Sequence, residues 1–136
     1  MIKKILIPMF LCLVKASYAG VTYYDCTINN TYDLNNNTGK VEATNTEWKE
    51  AFKGHKFNVS RLNGDIVGKT LLNHDAKQIV VINQGSDRYD FKTISIFDHP
   101  NNEQQWQILQ IKESANGESK PFIAFALQGI ITGICR

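Results

Sequence analysis

The residues able to do acid–base, nucleophilic or metal chemistry are few and scattered. The histidines are His55, His74 and His99. His74 precedes Asp75 and His99 follows Asp98. Consecutive side chains on a strand point to opposite faces, so neither pair is expected to form a carboxylate–imidazole unit. No two histidines stand four apart, as a helical zinc site requires, and the expected metal is none. Ser60, Ser86, Ser95, Ser114 and Ser119 lack the nucleophile-elbow context. The glycine turns carry no phosphate-binding fingerprint, and no cofactor is expected. Chemistry would have to come from a site assembled in space, and the expectation is a protein that is not an enzyme.

Binding chemistry is better represented. Asp87-Arg88-Tyr89-Asp90 places an arginine and a tyrosine beside two acids at a hairpin tip. Both types concentrate at binding hot spots, because each joins a large contact area to directed hydrogen bonds. Asp98 and His99 begin the opposite connection of the same strand, which runs on through Pro100, Asn101 and Asn102. Tyr32-Asp33 and Trp48 add aromatic groups nearby. The candidate interface is therefore Asp87, Arg88, Tyr89, Asp90, Asp98, His99 and Tyr32. Turn geometry alone also favours such polar residues, so solubility is the competing explanation.

The segment Gly85-Ser86-Asp87-Arg88-Tyr89 resembles in part the Ser-Gly-x-Arg-Tyr loop of bacterial inhibitors of C-type lysozymes. The first two residues are exchanged, Arg88 and Tyr89 stand in matching positions, and the likeness extends to no other motif of the chain. Those inhibitors are small exported antiparallel barrels, often with cysteines near both ends. The expected architecture is thus compatible with inhibition of a wall hydrolase.

The first segment has the order of a secretory signal. Lys3 and Lys4 give a positive start, Ile5 to Val14 an apolar run, and Ser17 and Ala19 the small residues before a cleavage site. A bilayer-spanning helix needs roughly 20 apolar residues, so this run is too short for one. The domain plan is a cleaved signal over residues 1–19 and one β domain over 20–136. Cleavage would remove Lys3, Lys4 and Lys15 and turn the formal charge of +2 into −1. No run of like charges remains, so the basic footprint of a nucleic-acid binder is missing. No transmembrane segment is expected in the mature chain.

Cys12 falls within the signal, preceded by the large Leu11, which does not suit a lipid-modified cysteine. Cys26 and Cys135 remain, one near each end. In an oxidising compartment an even cysteine count reads as a disulfide. This one closes a 109-residue loop and is worth about 4–5 kcal/mol in the chain-entropy model. It also requires the first and last strands to lie side by side.

Between the cysteines the pattern is strands and turns. Val21 to Ile28 reads as a strand, and the Asn-rich stretch 29–45 as a long loop. Thr44 and Glu47 resemble a capping box, opening a short helix from about Asn45 to Lys53 that lids one end of a sheet. Asn63-Gly64 signals a hairpin. Ile79-Val80-Val81-Ile82 is a continuous apolar run, which predicts a strand covered on both faces or central in the domain. Tyr89 and Phe91 are out of phase with Ile94 and Ile96, as Trp106 and Ile108 are with Leu109 and Ile111. A β-bulge at each slip would restore one face. Strands over Phe122 to Leu127 and Ile130 to Cys135 complete the set. The fold class is all-β: a small antiparallel barrel or coiled sandwich of about eight strands with one short helix, its termini joined by a disulfide.

The functional expectation is an exported protein-binding module of the periplasm or the secreted fraction. Its sharpest form is an inhibitor or immunity protein that blocks a toxin or a cell-wall hydrolase. The alternative is a carrier of a small apolar ligand, unless Phe57, Phe91, Trp106, Phe122 and Phe125 fill the barrel interior. A protein partner is expected, and pairing of the chain with itself stays open.

Overall fold

The computed structural model describes residues 22–101, 103–126 and 129–136. The expected signal over 1–19 lies outside the described residues, as do Asn102 and Leu127. The elements in chain order are β1 (Tyr23–Leu34), β2 (Val41–Ala43), α1 (Thr46–Phe52), β3 (Lys56–Ser60), β4 (Ile66–Gly68), β5 (Gln78–Gln84), β6 (Phe91–Asp98), β7 (Gln104–Ile111), β8 (Lys120–Ala126) and β9 (Gly129–Cys135).

All nine strands belong to one antiparallel sheet in the order β4-β3-β1-β9-β8-β7-β6-β5, with β2 paired to β1 beside this path. The sheet curls into a half-barrel. First and last strands are neighbours, and Cys26 and Cys135 face each other across β1 and β9 as a disulfide with Cα atoms 3.9 Å apart. This is the side-by-side placement that the two terminal cysteines predicted. β4 and β5, the two ends of the sheet, do not pair with each other.

The concave face is the core. Tyr24, Cys26 and Ile28 point inward from β1, and a register shift between Ile28 and Asn30 lets Thr31 take the next inward place. Phe57 and Phe122 meet edge to face with ring centroids 5.1 Å apart, and Tyr24 and Phe91 lie 5.3 Å apart. Leu71, in the connection between β4 and β5, is fully buried against this core. At Gly133 only hydrogen fits, because an added Cβ would collide with the Thr27 carbonyl oxygen on β1 and the Phe122 ring on β8. Gly64 holds φ of +77°, a backbone conformation that strains other residues, and turns the chain between β3 and β4.

Several expectations are corrected. The stretch 29–45 is not a long loop. β1 runs on to Leu34 and turns back into β2, the Asn35 side chain accepting from Asn37 N at 3.0 Å and Thr38 N at 3.1 Å. The helix is capped by Asn45, whose side chain accepts from Trp48 N, rather than by Thr44. The run Ile79–Ile82 is an edge strand with exposed outer residues, neither central nor covered on both faces.

The two phase slips hold no bulge. β6 and β7 pair without a shift from Phe91↔Ile111 to Asp98↔Gln104. Odd-numbered residues of both strands face inward, and they include the buried Thr93, Ser95 and Gln107. Ile94, Ile96, Trp106 and Ile108 face outward. The slips record strands apolar on both faces, not an interruption of one. Of the five aromatic residues weighed as fillers of the interior, Phe57, Phe91 and Phe122 are there, whereas Trp106 and Phe125 stand outside and are 55% and 46% exposed.

Polar groups hold the two ends of the curl together. Asn73, almost fully buried, accepts from Ile66 N at 2.6 Å and donates to Gly64 O and to Ser95 Oγ at 2.9 Å each. Its amide thus joins the β3–β4 end of the sheet to β6 with every side-chain hydrogen-bonding group in use. Arg61 makes a second link, from the turn after β3 to the end of β5.

Candidate functional site

The tip between β5 and β6 starts as local turn chemistry. Gly85 holds φ of +75°, and its N–H donates to Asn83 Oδ1 at 2.9 Å. Ser86 Oγ accepts from Arg88 N at 3.2 Å and Tyr89 N at 3.1 Å, while Ser86 N donates to Tyr89 O at 2.7 Å. These bonds close the loop on itself without using the side chains of Asp87, Arg88 or Tyr89.

Two anchors from elsewhere in the sheet fix its base. Arg61 donates through Nε to Gln84 O at 2.6 Å and through Nη2 to Gly85 O at 2.7 Å. The same guanidinium lies 5.8 Å from the Tyr24 ring centroid and 3.6 Å from Glu113 Oε1. On the other side Asp90 accepts from Gln110 Nε2 at 2.7 Å and Ser114 Oγ at 2.8 Å, with Lys112 Nζ 3.4 Å away. Burial of Asp90 opposes ionisation, but the hydrogen bonds from Ser114 and Gln110, with Lys112 beside them, outweigh it and hold the carboxyl down at about 2.

Beneath the tip, the Tyr24 hydroxyl and Glu113 Oε2 are buried without a hydrogen-bond partner. Burial raises the Tyr24 phenol far above its usual range, the Glu113 carboxylate raises it further, and Arg61 opposes the rise. Tyr24 is thus a neutral structural group, not an acid or base available near neutral pH.

Among the described residues, Asp87, Arg88 and Tyr89 are exposed, Tyr89 at 63%, and their side chains make no hydrogen bond or ion pair with the protein. Asp90 differs from its three neighbours: it is an anchor whose side chain is 12% exposed. The expected cluster Asp87–Asp90 therefore divides into a presented part and a holding part.

The remaining candidates sit at the far end of the sheet. β6 is eight residues long, so Asp98 and His99 lie about 23 Å from Phe91 and the tip. Asp98 pairs with Lys77 at 2.9 Å and helps line a cleft of about 300 Å³ with Thr70, Leu72, Asp75, Phe97 and Trp106. His99 is exposed, and its N–H closes the β6–β7 turn onto Glu103 O at 3.0 Å. Tyr32 is half-buried near the end of β1, opposite Ile130. The structure thus does not bring the seven candidates into one site.

The histidines stay apart as well. His55 Nδ1 bonds Thr70 Oγ1, and His74 Nε2 lies 3.0 Å from Asp75 Oδ2 with both side chains largely exposed. The second contact corrects the expectation for that pair. Residues 74 and 75 lie in a turn, where neighbouring side chains are not forced to opposite faces. Among the described residues no group of three or more His, Cys, Asp or Glu could hold a metal ion. No helix among them is long and apolar enough to cross a membrane.

Sequence reasoning missed the outer surface. Val80, Ile94, Ile108, Phe125, Ile130 and Tyr32 occupy consecutive cross-strand positions, forming one apolar row over β5, β6, β7, β8, β9 and β1. Ile96 and Trp106 are paired in the neighbouring row. The signal was present in the phase slips, which mark a second apolar face. The anchors Arg61, Gln110 and Ser114 left no such signal, since their partners are 20 to 24 residues away.

No known protein family, curated protein or solved structure matches this chain.

Proposed function

We propose that this chain is an exported protein-binding module that presents the Asp87–Tyr89 tip to a partner, acting as an inhibitor or immunity protein against a toxin or a cell-wall hydrolase. The observation that carries this reading is the contrast within the tip. Its backbone is tied by Ser86, Arg61 and Asp90, while Arg88 and Tyr89 point into solvent without intramolecular partners.

A loop already ordered in the free protein loses little conformational entropy on binding, so more of its contact energy appears as affinity. Arg88 offers a planar cation with five donors, suited to carboxylates, and Tyr89 offers an aromatic face. Glycoside hydrolases carry paired carboxylates in an open cleft, which such a tip complements in charge and shape. The Cys26–Cys135 bridge suits an oxidising compartment, in keeping with a periplasmic or secreted site of action. The carrier alternative gains no support from an interior occupied by Phe57, Phe91 and Phe122.

The test is affinity capture from the native envelope with the wild-type protein and with the Arg88→Ala/Tyr89→Ala variant, read by mass spectrometry. A stoichiometric protein partner that the double variant fails to retain is the expected result. Finding no such partner, or one that both proteins hold equally, overturns the reading.

A further inference from the structure

Among the described residues three buried side-chain atoms have no hydrogen-bond partner. Two of them, the Tyr24 hydroxyl and Glu113 Oε2, lie beneath the tip, where Arg61 sits beside both residues. The third, Gln107 Nε2, lies toward the opposite end of the sheet. Gln107 faces inward from β7 against Ser95 of β6 and is 8% exposed. The next inward pair toward that end, Phe97 and Gln105, is only half-buried. The curl opens here into a mouth, and Thr70 and Leu72 of the β4–β5 connection complete the lining of its cleft of about 300 Å³. Barrel mouths are recurrent places for small ligands. The neighbouring polar groups are already engaged: Thr70 Oγ1 bonds His55 Nδ1, and Ser95 Oγ accepts from Asn73. Gln107 thus lines the cleft with a donor that the protein leaves unpaired, which costs stability unless something else pairs it.

We propose that this mouth binds one N-acetylated amino sugar, with the acetamido carbonyl accepting from the Gln107 amide. The lining selects that chemistry in steps. The unpaired group is a donor, so the buried end of the ligand carries an acceptor. The Gln107 amide is uncharged and Leu72 and Phe97 are apolar, so an ion buried between them would be costly and the acceptor is neutral. An acetamido group meets both conditions, since its carbonyl accepts strongly and its methyl packs on apolar walls. The rim has the reverse chemistry. Asp75, with His74 on only one of its carboxylate oxygens, and Gln105 offer acceptors, which suit the hydroxyl groups of a sugar ring. The volume is at the small end of ordinary ligand sites and holds one monosaccharide, not a longer chain. Phe97 stands roughly 20 Å along β6 from the tip, so the site is separate from the partner proposed there.

NMR titration of the nitrogen-labelled, oxidised protein tests it, with the methyl glycoside of N-acetylglucosamine as the probe and methyl glucoside as the comparison. The acetamido sugar should cause saturable shifts of the Gln107 side-chain amide and of the Leu72, Phe97 and Gln105 backbone amides, with a Kd on the order of 1 mM. Residues 87–89 should not move. Methyl glucoside, without the acetamido carbonyl, should bind about 10-fold more weakly. Gln107→Met keeps the side-chain length and removes the amide. It should weaken binding about 10-fold without lowering the melting temperature, because the unpaired donor leaves with it, whereas a purely structural amide would cost stability. Asp75→Ala, at an exposed turn position, should weaken binding about 3-fold in a folded protein. If Gln107→Met does not fold, the two glycosides still decide the matter on the wild type. The proposal is overturned by no saturable shift at the cleft up to about 50 mM sugar, far above the expected Kd. Equal affinity for the two glycosides overturns it as well, as does wild-type affinity in a folded Gln107→Met.

Discussion

Asn73 Nδ2 donates to Ser95 Oγ across 2.9 Å, and this contact bridges a gap that no strand pairing closes. A curled sheet with unpaired end strands needs something to fix its curvature. Here a single amide also takes in Ile66 N and Gly64 O.

Removing that amide should be expensive. Asn73→Ala leaves a buried N–H, a buried carbonyl and a buried hydroxyl without partners, each costing about 1–3 kcal/mol and not fully additive. A loss of about 3–5 kcal/mol in urea unfolding is expected. Asn73→Asp keeps the acceptor for Ile66 N but loses both donors and buries a charge, so it should not rescue stability.

The disulfide should dominate global stability. Its loop spans 109 residues, and the double variant Cys26→Ala/Cys135→Ala should lose about 2–5 kcal/mol. Reduction of the wild type should lower the melting temperature to a similar degree, and the reductant should not affect the double variant.

Arg88 and Arg61 should behave oppositely. Arg88→Ala is a surface change, expected to shift stability by no more than about 0.5 kcal/mol while abolishing partner capture. Arg61→Ala strips the base of the tip and leaves the Glu113 carboxylate, 16% exposed, beside the buried Tyr24 hydroxyl without its cation. Breaking such a pair costs about 3–5 kcal/mol when fully buried, and somewhat less here. Amide exchange at Ser86 and Tyr89 should accelerate in Arg61→Ala and not in Arg88→Ala.

Asp90 should give the tip a pH limit. Its folded-state value of about 2 lies below its ordinary value of 3.8. A depressed carboxyl contributes stability that is fully present above its unfolded value and lost as pH falls through the folded one. The contribution, on the order of 2 kcal/mol, should therefore be intact at pH 5 and above and disappear between about pH 4 and pH 2. Asp90→Asn should flatten that part of the stability–pH curve.

Gly133→Ala should be among the most disruptive single methyl additions. The added carbon collides with backbone on β1 and an aromatic ring on β8, neither of which is a flexible side-chain end. Loss of the native fold or a steep fall in melting temperature is expected, whereas Gly117→Ala, at positive φ but in open space, should cost far less.

The sequence alone determined the all-β class, the short helix and the adjacency of first and last strands. Those follow from local rules: period-two patterning, turn residues, and two cysteines that can bridge only if their strands meet. It also exposed the Arg88–Tyr89 tip, because turn chemistry is local. What it could not assign was which face of β6 and β7 turns inward. Both faces are apolar, so the pattern of Ile94 and Ile96 against Phe91 was read as a bulge. Only the ladder register, running unbroken from Phe91↔Ile111 to Asp98↔Gln104, decides that Trp106 and Ile108 face out and Thr93 and Ser95 face in. Likewise the apolar run of β5 resembles a central strand, and its place at the edge depends on how far the whole sheet curls. Asn73 and Arg61 belong to the tertiary structure for the same reason. Their bonds to Ser95, Gln84 and Gly85 span 22 to 24 residues, and a hydrogen bond over that separation exists only after the chain has folded.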